Sequence, residues 1–240
     1  MSKPQVIDLF CGAGGAARGL QQAGFHVTGV DIKPQPRYAG DVFIQADALT
    51  FPLDGFDLIW ASPPCQRYSL AAGRNSRRAR ASHPDLIPQT RSRLVCNGAL
   101  YCIENVMQAP LKTTVVLDGT MFPHGTHRTL RRRRFESNFA ILSLSPLRSF
   151  GPCTCPKAVT VAGHPGTTFS RYYRKAGPGL AGNTAVVRQG YRGRAGTLPE
   201  WKQAMGIDWM TGKEIAQAIP PAYSEWIGRY ALIALGLATA

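Results

Sequence analysis

The chain has 240 residues, which suits one large domain or a domain with a small extra lobe, and 44% of them are hydrophobic. That hydrophobic content supports a sizeable buried core and excludes an intrinsically disordered chain. Its 28 Lys and Arg residues, 21 of them Arg, outnumber 14 acidic residues and give a net charge of +14. Because guanidinium groups pair bidentately with phosphate oxygens, this charge favours a polyanionic partner, although a membrane surface or solubility alone would also fit.

Short apolar runs alternate with turn signals over the first hundred residues. The runs 6–10, 26–32, 42–46, 56–61 and 99–103 predict strands, and residues 16–22 predict a helix that Gly24 ends. Continuous apolar strands that alternate with helices or loops are typical of a parallel sheet covered on both faces. We therefore predict a doubly wound, mostly parallel α/β domain.

The composition changes beyond residue 135. Residues 137–199 contain eight cations but no Asp or Glu, and Gly and Pro residues punctuate the stretch. This composition predicts a small lobe rich in loops. Helical patterns return at 200–205 and 212–218, and a prolyl pair precedes a last predicted helix over 222–237. The predicted organisation is a main domain over 1–137, the lobe over 138–197, and a C-terminal segment over 198–240 that returns to the main domain.

The six cysteines occur without a basic and then apolar leader, which predicts a reduced, cytoplasmic protein. The late apolar run 231–240 is far shorter than the ~18 residues that span a bilayer, so we expect no membrane anchor. Cys153, Cys155 and His164 suggest a zinc site, but a fourth ligand at a recognisable spacing is missing, so we expect no bound metal.

A glycine-rich turn, Asp8-Leu9-Phe10-Cys11-Gly12-Ala13-Gly14-Gly15, joins the first predicted strand to the first helix. Glycines at such a turn let the backbone approach a ligand closely. Asp31 ends the second strand 19 residues after Gly12, where a carboxylate can accept both ribose hydroxyls of a nucleoside. Because the glycine spacing is not that of a dinucleotide fingerprint, the turn favours a single adenosine; the alternative is an ordinary tight turn.

Two further strands lead to reactive side chains. Pro63 and Pro64 fix the backbone so that Cys65 lies at the carboxyl edge of the sheet, where its thiol can act as a nucleophile. Glu104 occupies the equivalent edge of the next strand, and burial there favours the protonated form that suits proton donation. The alternative for Cys65 is a buried, inert cysteine, which is the interpretation we favour for Cys96 and Cys102.

In this order, the motifs resemble those of the DNA cytosine-5 methyltransferase family, over nearly the whole chain except the acid-free lobe. The resemblance implies the Rossmann-like fold of S-adenosylmethionine-dependent methyltransferases, with residues 138–197 as a small target-recognition lobe. It also implies Cys65 as the nucleophile, Glu104 as the acid, and Arg131 and Arg133 as residues that orient the active site and a flipped base. The residues that it places at S-adenosylmethionine are Phe10, Cys11, Gly12, Gly14, Gly15, Asp31, Ile32, Asp47, Ala48, Pro64, Gln217 and Ala218.

Two positions depart from the family pattern. Thr129 stands where the family's Gln-x-Arg-x-Arg motif has glutamine, so that glutamine's role does not carry over. Gln217, in the segment 216–221 that would return to the cofactor, replaces an asparagine. A longer side chain there could tune the cofactor pocket or admit a cofactor that carries a larger transferred group.

The excess positive charge then predicts a DNA-facing surface. We expect double-stranded DNA as the partner, with contacts from the segment 66–93 and the lobe: Gln66, Arg67, Arg74, Arg77, Arg78, Arg171, Arg174 and Arg192. The segment 66–93 also contains Arg91 and Arg93, and a merely solvated basic loop is its alternative. Arg132 and Arg134 are expected at a basic strand edge or on the DNA backbone. Because the lobe is short, we expect a short or degenerate target sequence.

The resemblance implies a compact monomer of the kind that phages and prophages carry, and it leaves any restriction endonuclease partner open. Two other enzymatic hypotheses use the same scaffold, namely action on RNA and transfer of a group larger than methyl. A DNA-binding protein without catalysis is the non-enzymatic alternative, but the presence of both Cys65 and Glu104 argues against it.

Overall fold

A computed structural model describes residues 2–69, 81–122, 128–144, 158–161 and 194–239 of the chain. The chain forms two compact units, of which the first comprises Met1–Leu117, Arg132–Leu144 and Gln217–Ala240. The second comprises Asp118–Arg131 and Ser145–Ala216. Residues 198–216 thus belong to the second unit, whereas the sequence pattern suggested that the chain leaves the lobe at residue 198. The assignment of residues 138–197 to target recognition stays a prediction.

Seven strands build the sheet of the first unit, in the order β3-β2-β1-β4-β5-β8-β6. In chain order the strands are β1 (Gln5–Leu9), β2 (His26–Asp31), β3 (Val42–Gln45), β4 (Leu58–Ala61), β5 (Leu100–Asn105), β6 (Val115–Leu117), β7 (Arg128–Thr129), β8 (Arg133–Ser137), β9 (Ala158–Thr160) and β10 (Arg194–Ala195). Strands β1 to β5 pair in parallel, and β8 runs antiparallel to both β5 and β6. The predicted α/β class with a mostly parallel sheet is confirmed. Strands β7, β9 and β10 form a small separate sheet.

Five α-helices are described: α1 (Gly15–Ala23), α2 (Ile87–Asn97), α3 (Leu198–Met205), α4 (Gly212–Gln217) and α5 (Pro221–Ala234). Gly14 and Gly24 bound α1 because both adopt positive φ, 81° and 118°, which continues no helix. A reciprocal capping box between Thr197 and Glu200 begins α3. The four predicted helices are present, and α2 is an additional one. None of the helices in the described part of the chain is long and apolar enough to span a bilayer.

The two faces of the large sheet bury different side chains. Ile7, Ile59 and Ile103 lie on one face in a core cluster with Ile87 and Leu94 of α2, all of them fully buried. Each such side chain contributes roughly 1.5–3 kcal/mol through burial. The other face carries the next residues along each strand, because side chains alternate across a sheet. The sheet therefore has a mainly apolar face toward α2, and its second face holds the buried acids Asp8 and Glu104.

Helices α1 and α5 pack closely together. A Cβ atom on Gly19 would overlap the carbonyl oxygen of Pro221 and the hydroxyl of Ser224, so only glycine permits this approach. The buried Ser224 hydroxyl donates to the carbonyl of Ala16 at 2.8 Å. This packing fixes the start of α1, and with it the glycine-rich turn that precedes the helix.

Candidate active site

The glycine-rich turn between β1 and α1 holds an unusual backbone. Phe10, Gly12 and Gly14 all adopt positive φ, at 60°, 51° and 81°. For Phe10 this conformation costs about 1–3 kcal/mol, a type of strain that clusters at ligand sites. No heavy atom lies within 4 Å of the position that a Cβ of Gly12 would take, so the space beside this glycine is open. The turn thus has open space beside Gly12, and the binding of a ligand there stays a prediction.

Asp31, at the end of β2, is oriented toward this turn. Its carboxylate accepts the backbone amide of Gly12 at 3.0 Å through Oδ2 and that of Lys33 at 2.9 Å through Oδ1. A carboxylate has about four acceptor sites, so two remain for ribose hydroxyls. The neighbouring Ile32 side chain is 65% exposed, which leaves an apolar surface beside the carboxylate. These features fit the adenosine part of S-adenosylmethionine.

Asp47 and Ala48 follow β3 in a tight turn. Asp47 accepts the backbone amide of Leu49 at 2.9 Å through Oδ1, and the Asp47 side chain is exposed. The Arg93 guanidinium stabilises the same turn, because it donates to the carbonyls of Ala48 and Phe51, both at 2.6 Å. Arg93, which sequence analysis grouped with the basic segment 66–93, thus directs both Nη atoms to acceptors within the protein.

The segment after α4 packs on the glycine-rich turn. A Cβ added to Gly15 would lie 3.2 Å from the Cβ of Ala218 and 3.1 Å from the backbone nitrogen of Ile219. This contact agrees with the expected return of residues 216–221 to the cofactor site. Gln217 itself is exposed at the end of α4. Its contact with the cofactor stays a prediction.

Cys65 lies in a loop directly after β4 and is half-buried. Its carbonyl accepts the backbone amides of Tyr68 at 2.9 Å and Ser69 at 2.8 Å, which fold the following residues into a turn. The buried Asn105 donates from Nδ2 to the carbonyl of Pro63 at 2.8 Å. This bond ties the end of β5 to the prolyl pair that precedes the nucleophile, a role for Asn105 that sequence analysis did not assign.

Glu104 lies near the carboxyl end of β5 and is only 6% exposed. Its Oε1 atom forms an ion pair with Nε of Arg133 at 2.9 Å. Parallel pairing places Ala61 opposite Ile103, so β4 and β5 deliver Cys65 and Glu104 to the same edge of the sheet. At this edge, the thiol can add to an electron-poor ring as a nucleophile. The carboxyl group, supported by the guanidinium, can hold a proton on the same ring.

Arg131 has different contacts. It is buried, and it donates from Nη1 to the carbonyl of Val161 at 2.6 Å and from Nη2 to that of Ala216 at 2.9 Å. These carbonyls belong to the second unit, as Arg131 itself does. Arg133 is thus the arginine that the structure pairs with Glu104, whereas the described hydrogen bonds of Arg131 connect the residue after β9 with α4. A contact of Arg131 with substrate stays a prediction.

Two arginines for which sequence analysis considered DNA contacts have partners within the protein. Arg134 donates to Thr113 Oγ1 at 2.6 Å and to the carbonyls of Met107, Ala109 and Leu111. Arg91 forms a bidentate pair with Glu136. These contacts favour the strand alternative for Arg134 over the DNA backbone, and they direct Arg91 to acceptors within the protein.

The remaining DNA contacts stay predictions. Gln66 is exposed, and Arg67 donates to the carbonyl of His83 at 2.9 Å. The other predicted residues lie outside the described part of the chain: Arg74, Arg77, Arg78, Arg171, Arg174 and Arg192. Cys153, Cys155 and His164 lie outside it as well. Among the described residues, no group of His, Cys, Asp and Glu could hold a metal ion.

The cysteines other than Cys65 divide into buried and exposed ones. Burial raises the pKa of the Cys102 thiol, and burial with the nearby Asp8 charge raises that of Cys11, so both favour the neutral, unreactive form. Cys96 is exposed, so the prediction of a buried cysteine there is wrong. The reason is helix geometry: α2 buries Ile87, Thr90 and Leu94, and Cys96 lies off that face.

Asp8 is a buried acid on the polar face of the sheet, and the structure assigns neither of its carboxylate oxygens a hydrogen-bond partner. Burial raises the pKa of Asp8 well above its usual range, and the negative charges of Asp31 and Glu104 add to this effect. The nearby backbone amide of Ala17 lowers the pKa, but by less than burial and Asp31 raise it. Sequence analysis named Asp8 only as part of the turn, although a single acid within an apolar strand was a signal.

Comparisons with known proteins agree with this geometry. Residues 4–114 match the family model of C-5 cytosine-specific DNA methylases, and that segment contains the glycine-rich turn, Asp31, Asp47, Cys65 and Glu104. No curated protein matches the sequence.

Three solved structures match nearly the full chain. A DNA modification methyltransferase encoded within an E. coli prophage has 16% identity and a TM-score of 0.53, over 97% of this chain and 99% of that one. The S. pombe Dnmt2 methyltransferase has 14% identity and a TM-score of 0.53 over the same shares. The Entamoeba histolytica methyltransferase EhMeth has 13% identity and a TM-score of 0.52, over 98% and 99%. At these identities the structures show a shared fold. Residues 4–114, just under half of the chain, are thus similar to the C-5 cytosine-specific DNA methylase family.

Proposed function

We propose that the chain is a DNA (cytosine-5-)-methyltransferase that modifies C5 of a flipped cytosine through a covalent adduct at Cys65. The observation that carries the proposal is the pairing of a nucleophile and an acid at one sheet edge. Cys65 follows β4, Glu104 lies near the end of the neighbouring β5, and Asn105 bonds the two elements together at 2.8 Å. The family match over residues 4–114 supports the same reaction.

S-Adenosylmethionine is the cofactor that the family implies, and the residues fit it. Asp31 retains acceptor sites for the ribose, Ile32 offers an exposed apolar surface for the adenine, and the positive-φ turn presents open backbone at Gly12. Asp47 would accept from the adenine amine. When bound, this cofactor supplies an electrophilic methyl group.

The chain's own residues would prepare the cytosine for that methyl group. C5 of cytosine is a poor nucleophile, so the Cys65 thiolate first forms a bond to C6 while Glu104 holds a proton at the ring N3. The electrons of the C5–C6 double bond then make C5 an enamine carbon that can accept the methyl group. Loss of the C5 proton restores the double bond and releases Cys65. Arg133 would support Glu104 throughout, because its Nε lies 2.9 Å from the carboxylate.

The base must leave the duplex for this reaction. C6 of a stacked cytosine is inaccessible to a side chain, and extrusion of the base costs roughly a few kcal/mol. The segment that follows Cys65 and the acid-free lobe would supply cations that hold the opened DNA through its phosphates.

Covalent trapping tests the proposal. Duplex DNA with 5-fluorocytosine in place of cytosine at every site should form an adduct that survives denaturing electrophoresis, because fluorine cannot leave C5 as a proton does. The adduct should require both S-adenosylmethionine and Cys65, so the Cys65→Ala variant is the control. If the wild-type protein forms no adduct under conditions in which it binds the duplex, the reaction is not the proposed one.

The same experiment separates the alternatives. An adduct with 5-fluorocytosine RNA but not DNA would establish action on RNA. Mass spectrometry of nucleosides from treated DNA would reveal a transferred group larger than methyl, which is the hypothesis that the replacement of asparagine by Gln217 suggests. Binding of DNA without any product would identify a non-catalytic protein.

Salt dependence tests the phosphate contacts. If the chain neutralises about five phosphates, its affinity for a short duplex should fall about 500-fold between 50 and 200 mM salt, because counterion release scales with the number of contacts. Fluorescence anisotropy across this range measures the slope. A nearly flat slope would contradict a DNA-facing basic surface.

A further inference from the structure

The loop between β2 and β3 is fixed at both ends to β2. At its start, Asp31 accepts two backbone amides, as described above. At its end, the Asp41 carboxylate accepts the amide of Val27 at 2.8 Å, and the Asp41 amide donates to the Val27 carbonyl at 3.0 Å. Between them, the Tyr38 amide donates to the carbonyl of Gln35 at 2.9 Å and forms a turn. The loop therefore places its central residues against the sheet.

The Tyr38 ring takes the place of side chains that three glycines lack. A Cβ on Gly29 of β2 would overlap the Cζ and hydroxyl of Tyr38, and a Cβ on Gly40 would overlap the same ring. A Cβ on Gly14 would lie 3.1 Å from Cδ2 of Tyr38 and 2.7 Å from the amide nitrogen of Ala39. Glycines from three separate parts of the chain thus surround one aromatic ring.

This ring lies next to the strained turn. Gly14 is the residue before α1 and adopts φ 81°, two and four residues after Gly12 and Phe10 with their own positive φ values of 51° and 60°. Such conformations persist only where the surroundings hold them. Tyr38 and Ala39 contact Gly14, while Ala218 and Ile219 contact Gly15. The turn is therefore held by two segments that are distant in sequence.

The neighbours of the ring support a packing role. The hydroxyl of Tyr38 is buried and the structure gives it no hydrogen-bond partner. Register places Gly29 opposite Asp8, so the ring covers β2 beside the buried Asp8 side chain. Burial and the nearby Asp8 charge raise the pKa of Tyr38, so the phenol stays neutral. Tyr38 thus contacts its neighbours through packing of its ring and not through a hydrogen bond of its hydroxyl.

We infer that Tyr38 is a positioning residue for cofactor binding, which holds the turn Phe10–Gly15 in the conformation that receives S-adenosylmethionine. The inference rests on the proposed function, because that function makes this turn the cofactor site. A turn that is already ordered pays less conformational entropy when a ligand binds. Cys65 and Glu104 lie on other strands, so loss of the ring should weaken cofactor binding more than it slows the bound enzyme.

The test compares Tyr38→Leu, Tyr38→Phe and Phe56→Leu in the full chain. Phe56 is a half-buried aromatic residue that packs on the core cluster of the opposite sheet face, so its variant controls for lost aromatic packing. Calorimetry with S-adenosylhomocysteine should show binding about tenfold weaker for Tyr38→Leu, because the turn must be ordered on binding. Tyr38→Phe and Phe56→Leu should stay within about threefold of wild type, since both keep the ring beside Gly14.

Hydrogen exchange of the ligand-free protein is the second readout. Amides of residues 11–15 should exchange faster in Tyr38→Leu than in wild type. In Phe56→Leu they should exchange at the wild-type rate. If Tyr38→Leu does not fold, Tyr38→Phe decides: a loss of affinity above threefold would show that the hydroxyl, and not the ring, matters and would overturn the inference. Wild-type affinity together with wild-type exchange in Tyr38→Leu would overturn it as well. Failure of the wild-type protein to bind S-adenosylhomocysteine would instead refute the proposed function. The exchange result would still test whether Tyr38 holds the turn Phe10–Gly15.

Discussion

The Glu104→Gln variant should lose about 10²–10⁴-fold in the rate of methyl transfer, the range that a positioned general acid contributes. Glutamine keeps the size of the side chain and can still accept from Arg133, but it cannot hold and return a proton at N3. Because Glu104 is 6% exposed and paired with Arg133 at 2.9 Å, water cannot easily replace it. Transfer of labelled methyl groups to duplex DNA under single-turnover conditions measures this rate.

Two measurements decide whether this loss is catalytic. Affinity for S-adenosylhomocysteine should not change, since none of the predicted cofactor residues belongs to β5. The matched control is Glu225→Gln, which removes one carboxylate from a surface pair with Arg229 on α5 and should leave the rate unchanged. If Glu104→Gln keeps more than a tenth of the wild-type rate, Glu104 is not the acid of the reaction.

The central strands could be predicted because their signal is local. Residues such as Val6, Leu58 and Ile103 belong to short apolar runs, and all three are fully buried in the sheet. Strand β8 was missed because its sequence, RRFES, has two arginines and a glutamate that suggest a solvated segment. Its charges are satisfied by tertiary contacts, such as that of Arg134 with carbonyls 23–27 residues earlier. Strand propensity within five residues cannot show such contacts.

The reactive groups of the site could likewise be predicted from the sequence, whereas their ion-pair and hydrogen-bond partners could not. Cys65 and Glu104 follow from strand ends and motif order, and the motif spacing also separates Arg133 from Arg134. The sequence does not show that Arg133 pairs with Glu104 or that Arg134 holds a loop. Arg91 and Arg93 suggest a basic surface because their acceptors are 19 to 45 residues away. Tyr38 belongs to no motif, and its role depends on three glycines that only folding brings together.

The Arg91→Met variant should lower the free energy of unfolding by about 3–5 kcal/mol, the usual cost of breaking a buried ion pair from one side. Arg91 donates to both oxygens of Glu136, at 2.6 and 2.7 Å, and Glu136 is only 2% exposed. The pair connects α2 with β8, and Glu136 also accepts the backbone amide of Lys112 at 2.7 Å. Without the guanidinium, a carboxylate would remain buried with a single amide donor. Urea unfolding followed by circular dichroism measures the loss.

Two further variants show whether burial is the cause. Arg229→Met breaks the exposed pair with Glu225 on α5, where the arginine side chain is 61% exposed, and should cost at most about 1 kcal/mol. The double variant Arg91→Met, Glu136→Leu removes both charges and should recover much of the loss, because an apolar pair of similar volume carries no desolvation cost. If Arg91→Met is no more costly than Arg229→Met, the pair does not connect α2 to the sheet energetically. If the double variant is as unstable as Arg91→Met, the loss comes from packing of the arginine side chain and not from the uncompensated charge of Glu136.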